Sequence, residues 1–137
     1  MVTALKERRA KSIACGAYHT GVVLYGGTLF TWGSGSDGEL GHGRKDNETL
    51  PREVRGLVAV EMRLRPQSQD KAAPTSSVQV STPLLFSHVS CGGYHSAAIA
   101  QNSTLYTWGY GGDGQLGQGH DMTVCSPHQV LPPNPRP

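Results

Sequence analysis

The chain has 137 residues, the size of one ordinary domain, and sets 12 Lys+Arg against 10 Asp+Glu for a formal charge of +2, which leaves no polyelectrolyte argument for nucleic acid or a charged surface. Leu, Ile, Val and Phe total 27 residues, so any core is thin and lies near the composition at which chains stop offsetting their conformational entropy. Apolar runs fall far short of the roughly 20 residues that cross a bilayer or of a secretory leader, so an intracellular setting, cytoplasmic or nuclear rather than secreted, is expected.

Residues 5–11 carry the basic cluster Lys6, Arg8, Arg9 and Lys11, interrupted by Glu7, and read as one or two helical turns with a solvated face. Short β runs follow at 12–15, 19–24 and 28–32, the first two separated by Gly16 and the last two by Gly26-Gly27, a pair suited to a two-residue type I′ hairpin because both central residues need positive φ. A fourth strand is expected over 52–57. Beyond it, Val58, Val60, Met62 and Leu64 alternate with Ala59, Glu61, Arg63 and Arg65, the pattern of a two-faced strand. Residues 66–77 are polar and short-sided and predict a flexible insertion. The tail 131–137 holds four prolines and predicts an extended or disordered end.

The chain repeats itself. Residues 13–54 align with 89–130 without a gap at an offset of 76, with identity at 17 of 42 positions. Of the 18 Gly, 17 lie in these windows, as do both Trp and all five Tyr. The expected organisation is an N-terminal extension over 1–12, a first unit over 13–57, an insertion and linker over 58–88, a second unit over 89–130, and the tail.

Both copies carry, in order, Gly-x-x-His-[Thr/Ser], an apolar run, Leu-[Phe/Tyr]-Thr-Trp-Gly-x-Gly-x-Asp-Gly-x-Leu-Gly-x-Gly and Pro-x-x-Val. This pattern resembles the repeat of the regulator of chromosome condensation family. The resemblance implies an all-β fold built from four-stranded antiparallel blades of a β-propeller, seven in complete members. Propellers close with about 4 to 8 blades, so two repeats imply an incomplete propeller with a flexible insertion between its blades. A piece of a larger repeat protein is expected in preference to several chains assembling, because an isolated repeat cannot bury its apolar face.

Several motifs invite chemistry. Gly33-Ser-Gly35-Ser-Asp37-Gly38 and Gly109-Tyr-Gly111-Gly-Asp113-Gly114 spell the G-x-G-x-x-G of a dinucleotide turn. That turn needs a following helix whose amides face the pyrophosphate, and the further glycines at 41, 43, 117 and 119 disfavour one. The expected role of Gly33, Gly109, Gly38 and Gly114 is structural, at loop corners pinned to the core by Leu40 and Leu116. Cys15-x-x-x-His19, Cys91-x-x-x-His95 and the set His120, Cys125, His128 offer thiolate and imidazole, the usual zinc ligands, yet a tetrahedral site would draw its ligands from two blades. Buried thiols and histidines that bond turn backbone through both ring nitrogens are the preferred account. Trp32 and Trp108 end equivalent strands and are expected to cover the neighbouring sheet.

Thus no catalytic set, cofactor or metal site is expected, and the chain is not expected to be an enzyme. Partner choice should come from exposed positions that differ between copies, namely Arg44 and Lys45 against His120 and Asp121. The leading expectation is a protein–protein interaction scaffold. The resemblance implies two alternatives: part of a guanine-nucleotide exchange factor, with a small GTPase as partner, or an accessory repeat segment of a ubiquitin-ligase or kinase. A nucleic-acid partner is not expected for this segment alone, nor is a membrane span.

Overall fold

The computed structural model describes residues 2–64 and 77–133. Among these residues ten strands follow a short 3-10 turn at Thr3–Leu5. The first blade is an antiparallel sheet of β1 (Ala10–Cys15), β2 (His19–Leu24), β3 (Leu29–Gly33) and β4 (Glu48–Glu53), paired in chain order. The second is built the same way from β7 (Phe86–Cys91), β8 (His95–Ala100), β9 (Leu105–Gly109) and β10 (Val124–Gln129). Between them β5 (Val58–Leu64) and β6 (Ser77–Pro83) form a separate antiparallel pair, with Val58 opposite Pro83 and Leu64 opposite Ser77. Among the described residues two open four-stranded blades, not closed into a ring, make this a partial propeller.

The core lies between the blades. Val23, Leu29 and Val54 project from the first blade onto Phe86, Val89, Ala98, Ala100, Tyr106 and Trp108 of the second. Period-two alternation makes this possible: in β2, Val23 faces the second blade while Val22 and Leu24 face the other way. Val22, Leu24 and Phe30 form a smaller cluster on that opposite face, packed with Leu5 and Trp32. Glycine allows the blades to approach. A Cβ on Gly16 would stand 2.3 Å from the Gly92 carbonyl oxygen, where Ala17 N–H donates to that same oxygen at 3.2 Å.

Four sequence expectations require correction. The helical turns expected over 5–11 are replaced by a 3-10 turn at Thr3–Leu5 and by β1, which already begins at Ala10. The fourth strand of the first blade is at Glu48–Glu53 rather than 52–57. Proline at 51 reads as a boundary, but β4 is an edge strand whose register against β3 shifts between Thr31 and Gly33, and this irregularity takes up a residue without an N–H. The β2–β3 hairpin has a three-residue loop, Tyr25, Gly26 and Gly27, closed by Gly27 N–H to Leu24 O and Leu24 N–H to Thr28 O, both 2.9 Å. Both glycines have positive φ, but Gly27 is the closing residue and not a central one. In the second blade Ser103 takes the left-handed position with φ of 69°, and Asn102 Oδ1 accepts from Thr104 N and Oγ1. Finally, the second strand of the inserted pair, β6, begins at the end of the stretch expected to be flexible. The rest of that stretch, and residues 134–137 of the tail, lie outside the described residues.

Candidate functional site

Strands of each blade alternate in direction, so the β1–β2 and β3–β4 loops, and their counterparts β7–β8 and β9–β10, all emerge at one end of the sheets. The long loops owe their shape to glycine and to one threonine. Gly33, Gly38, Gly41 and Gly43 all have positive φ, and a Cβ on Gly35 would stand 1.9 Å from the Asp46 carbonyl oxygen. Thr31 Oγ1 donates to Leu40 O at 2.7 Å, and Thr107 Oγ1 donates to Leu116 O at the same distance, tying each loop back to its third strand. Leu40 and Leu116 are fully buried beneath these loops. No helix follows either glycine run, so neither presents the amide cradle that a pyrophosphate needs.

The polar side chains of the framework are used between the blades. Glu39, from the first loop, is fully buried, and its carbonyl oxygen accepts from Trp108 Nε1 and from Ser96 Oγ, both at 2.8 Å. Because Ser96 spends its proton there, His19 Nε2 must donate to Ser96 Oγ, 2.8 Å away. Among the described residues His19 Nδ1 has no hydrogen-bond partner, nor does Glu39 Oε1. The expectation that histidine would satisfy turn backbone through both nitrogens is therefore replaced by a single bond to a side chain of the next blade. Burial is the main cause holding the His19 imidazole below its ordinary value of 6.5; nearby Glu39 opposes this and His95 adds to it.

Ser96, His19 and Glu39 have the composition of a nucleophile, base and carboxylate. Yet Ser96 is inaccessible and its hydroxyl proton is directed at a carbonyl, so no substrate reaches it and no base activates it. The thiols are equally uncooperative. Cys15 is exposed on the first blade, whereas burial pushes the Cys91 thiol up to about 11. Among the described residues no three His, Cys, Asp or Glu side chains gather as metal ligands; His120 Nδ1 accepts from Met122 N, and His128 Nδ1 lies 2.8 Å from Ser126 O.

What remains free on the loop end is aromatic. Tyr18 and Tyr94, at the same repeat position, are 61% and 48% exposed, with ring centroids 5.7 Å apart. Each is anchored through its own carbonyl, which accepts from Ser34 N or Tyr110 N at 2.9 Å. Its neighbour Tyr18, through the phenol's hydrogen-bonding capacity first and its like charge when ionised, holds the Tyr94 phenol above its ordinary range. The four residues expected to discriminate partners, at two of the aligned positions that differ between copies, lie on the long loops and are all exposed: Arg44, Lys45, His120 and Asp121. Arg44 pairs with Asp46 at 3.2 Å in solvent, a contact worth about 0–1 kcal/mol. Sequence reasoning treated the tyrosines only as part of the repeat. Their signal was present, since a large aromatic sits in a glycine turn one residue before a buried histidine, but its exposure depends on how the blades meet.

Two antiparallel blades joined through a histidine, a tryptophan and a glycine loop define a segment of a β-propeller repeat protein. Two solved structures share this fold over 93% of the chain: yeast RCC1 (Prp20) bound to Kap60, with a TM-score of 0.65, and Prp20p from Saccharomyces cerevisiae, studied for its binding to Gsp1p and histones, with a TM-score of 0.63, each at 22% sequence identity. The chain covers 26% and 27% of those proteins. Residues 26–65 and 102–136 match the Regulator of chromosome condensation (RCC1) repeat, and a second description of that repeat matches 10–39 and 86–115. The chain belongs to the regulator of chromosome condensation repeat family. It is 29% identical to the ultraviolet-B receptor UVR8 of Arabidopsis thaliana over 133 residues and 32% identical to the human probable E3 ubiquitin-protein ligase HERC3 over 130. It spans 25% of the first relative and 10% of the second. No helix among the described residues is long and apolar enough to cross a membrane.

Proposed function

We propose that this chain is a protein–protein interaction scaffold, part of a larger repeat protein, which offers the loop end of its blades to a protein partner in an intracellular setting. The observation that carries this reading is the division of labour between side chains. His19, Ser96, Glu39 and Trp108 are consumed in joining blades, while Tyr18 and Tyr94 stand exposed on the loop end with their backbones anchored. Rigid aromatics with a polar tip supply contact area at low entropic cost, and they are enriched in protein interfaces. Arg44, Lys45, His120 and Asp121 would form the discriminating rim.

The test is affinity capture with the purified chain and with Y18S/Y94S, each checked by circular dichroism, followed by direct binding to whatever protein is recovered. Binding that weakens at least tenfold in the double variant supports the reading. A partner bound equally well by Y18S/Y94S and by R44E/K45E would refute it.

A second reading has support in the ligase relatives, since 94% of this chain resembles a stretch of HERC3: the segment would serve as an accessory to a ubiquitin-ligase. The exchange-factor alternative is tested by nucleotide release from a panel of small GTPases, and release no faster than without the chain would exclude it.

A further inference from the structure

The loop end does not share the charge of the whole chain. Its four loops, residues 16–18, 34–47, 92–94 and 110–123, present the partly or fully exposed carboxylates Asp37, Asp46, Asp113 and Asp121 against only Arg44 and Lys45, in a chain whose formal charge is +2. Arg44 is already engaged with Asp46 at 3.2 Å. The short loops that carry Tyr18 and Tyr94 hold no charged residue of their own.

Of the four carboxylates, Asp37 is the one the blade interface brings to the tyrosines. Glu39 is held by Trp108 Nε1 and Ser96 Oγ through its carbonyl. A Cβ on Gly109 would stand 2.6 Å from Tyr94 O and 3.2 Å from Glu39 Cα, so the Glu39 backbone abuts the turn that carries Tyr94. Two residues earlier, Asp37 is fixed in turn, its N–H donating to Glu39 Oε2 at 2.8 Å. The Asp37 charge helps to raise the Tyr94 phenol, as a nearby anion must. Aromatic faces are themselves negative. Two exposed rings 5.7 Å apart with a carboxylate held beside them therefore favour a cation, and a planar, weakly hydrated guanidinium above an ammonium, because it stacks on a ring and bonds a carboxylate at once. The chain makes the stacking contact internally, with the Arg9 guanidinium 4.8 Å from the Tyr25 ring centroid.

We propose that Tyr18, Tyr94 and Asp37 form a seat for an arginine side chain on an extended basic segment of the protein partner. This rests on the reading of the loop end as the partner surface and adds the chemistry of what binds there. The guanidinium lies against the exposed tyrosine rings and donates to the Asp37 carboxylate. Asp113 and Asp121, exposed on the next long loop, draw the basic residues that flank it, while Arg44 and Lys45 repel them and limit which segments are accepted.

The probe is fluorescein-labelled octa-arginine, compared with octa-lysine and with octa-citrulline, which keeps the shape of arginine without its charge. Binding to the full chain is read by fluorescence anisotropy at low salt, where exposed charges are least screened, and each variant is first checked by circular dichroism. Octa-arginine is expected to bind at least about tenfold tighter than octa-citrulline and more tightly than octa-lysine. Its affinity should fall about fivefold or more in Y18S/Y94S and about threefold in D37N, and should rise in R44E/K45E. Equal binding of octa-citrulline or octa-lysine, affinity unchanged by D37N or by Y18S/Y94S, or a loss in R44E/K45E overturns the inference. The scaffold reading fails separately: a captured protein that needs Tyr18 and Tyr94 but is neither weakened by D37N nor displaced by octa-arginine leaves that reading standing and overturns this one.

Discussion

Trp32 and Trp108 stand at the same place in the same motif, and the structure requires them to contribute very differently. Trp108 is fully buried between the blades, its Nε1 donating to the Glu39 carbonyl at 2.8 Å. Trp32 is only partly buried and packs, as Leu5 does, on a small cluster of three side chains. Truncating a fully buried Trp to Ala costs about 3–5 kcal/mol through lost transfer energy and the cavity left behind. The Glu39 carbonyl keeps its bond from Ser96, so no buried acceptor is orphaned and the cost should stay in that range. W32A removes a partly buried ring and should cost about 1–2 kcal/mol. Urea unfolding followed by circular dichroism measures both, and each variant keeps the other indole as a fluorescent reporter. If W108A proves too unstable to handle, W108F retains the ring area and should still lose about 1 kcal/mol with the hydrogen bond. Equal losses for W32A and W108A would refute the argument, since they would mean that the blade interface does not bury Trp108 as described.

Three further outcomes follow from the same interface. S96A leaves the His19 ring without a hydrogen-bond partner in a buried site and should cost about 1–3 kcal/mol, whereas T20A, at the equivalent position of the first blade, should cost clearly less; the difference in urea midpoint is the readout. A Cβ at Gly16 meets the Gly92 carbonyl at 2.3 Å while one at Gly93 meets nothing, so G16A should destabilise by about 1–3 kcal/mol and G93A should be close to neutral. The pH dependence has a definite sign. His19 is held below 6.5 in the folded state, so between its folded and unfolded values the unfolded chain binds the extra proton, and stability should fall as pH drops below about 6.5. A urea midpoint that rises on acidification from pH 7, or a fall unaltered in H19Q, would contradict this.

Much of the fold could be read from the residues because its governing signals are local. The Gly-rich loops, the alternation in β2 and the Trp-Gly strand ends recur at a fixed offset, and two copies of one pattern make the blade and its strands visible. Where the reading slipped, the deciding contact lay elsewhere. Pro51 looks like a strand boundary until β4 is known to be an edge with a shifted register. Nothing in the local sequence marks Glu39, and only the second blade laid over it makes it buried. The basic residues Lys6, Arg8, Arg9 and Lys11 are all exposed, and what only the structure adds is that Arg8 and Arg9 lie over aromatic rings of the first blade. The candidate surface was half visible: the variable positions 44, 45, 120 and 121 came from comparing the copies, but the exposure of Tyr18 and Tyr94 did not.

By itself the amino-acid order determined which unit is built, because strand period, positive-φ glycines and turn residues act over a few neighbours and need no partner. It did not determine which of two identical positions is buried, which polar groups are consumed, or which faces stay open. Those outcomes belong to the tertiary structure, since the His19–Ser96–Glu39 chain of bonds and the burial of Trp108 exist only where one blade is seated on the next. In a stacked-repeat protein the interface sets the environment of each copy, and equal residues acquire unequal roles according to what lies against them.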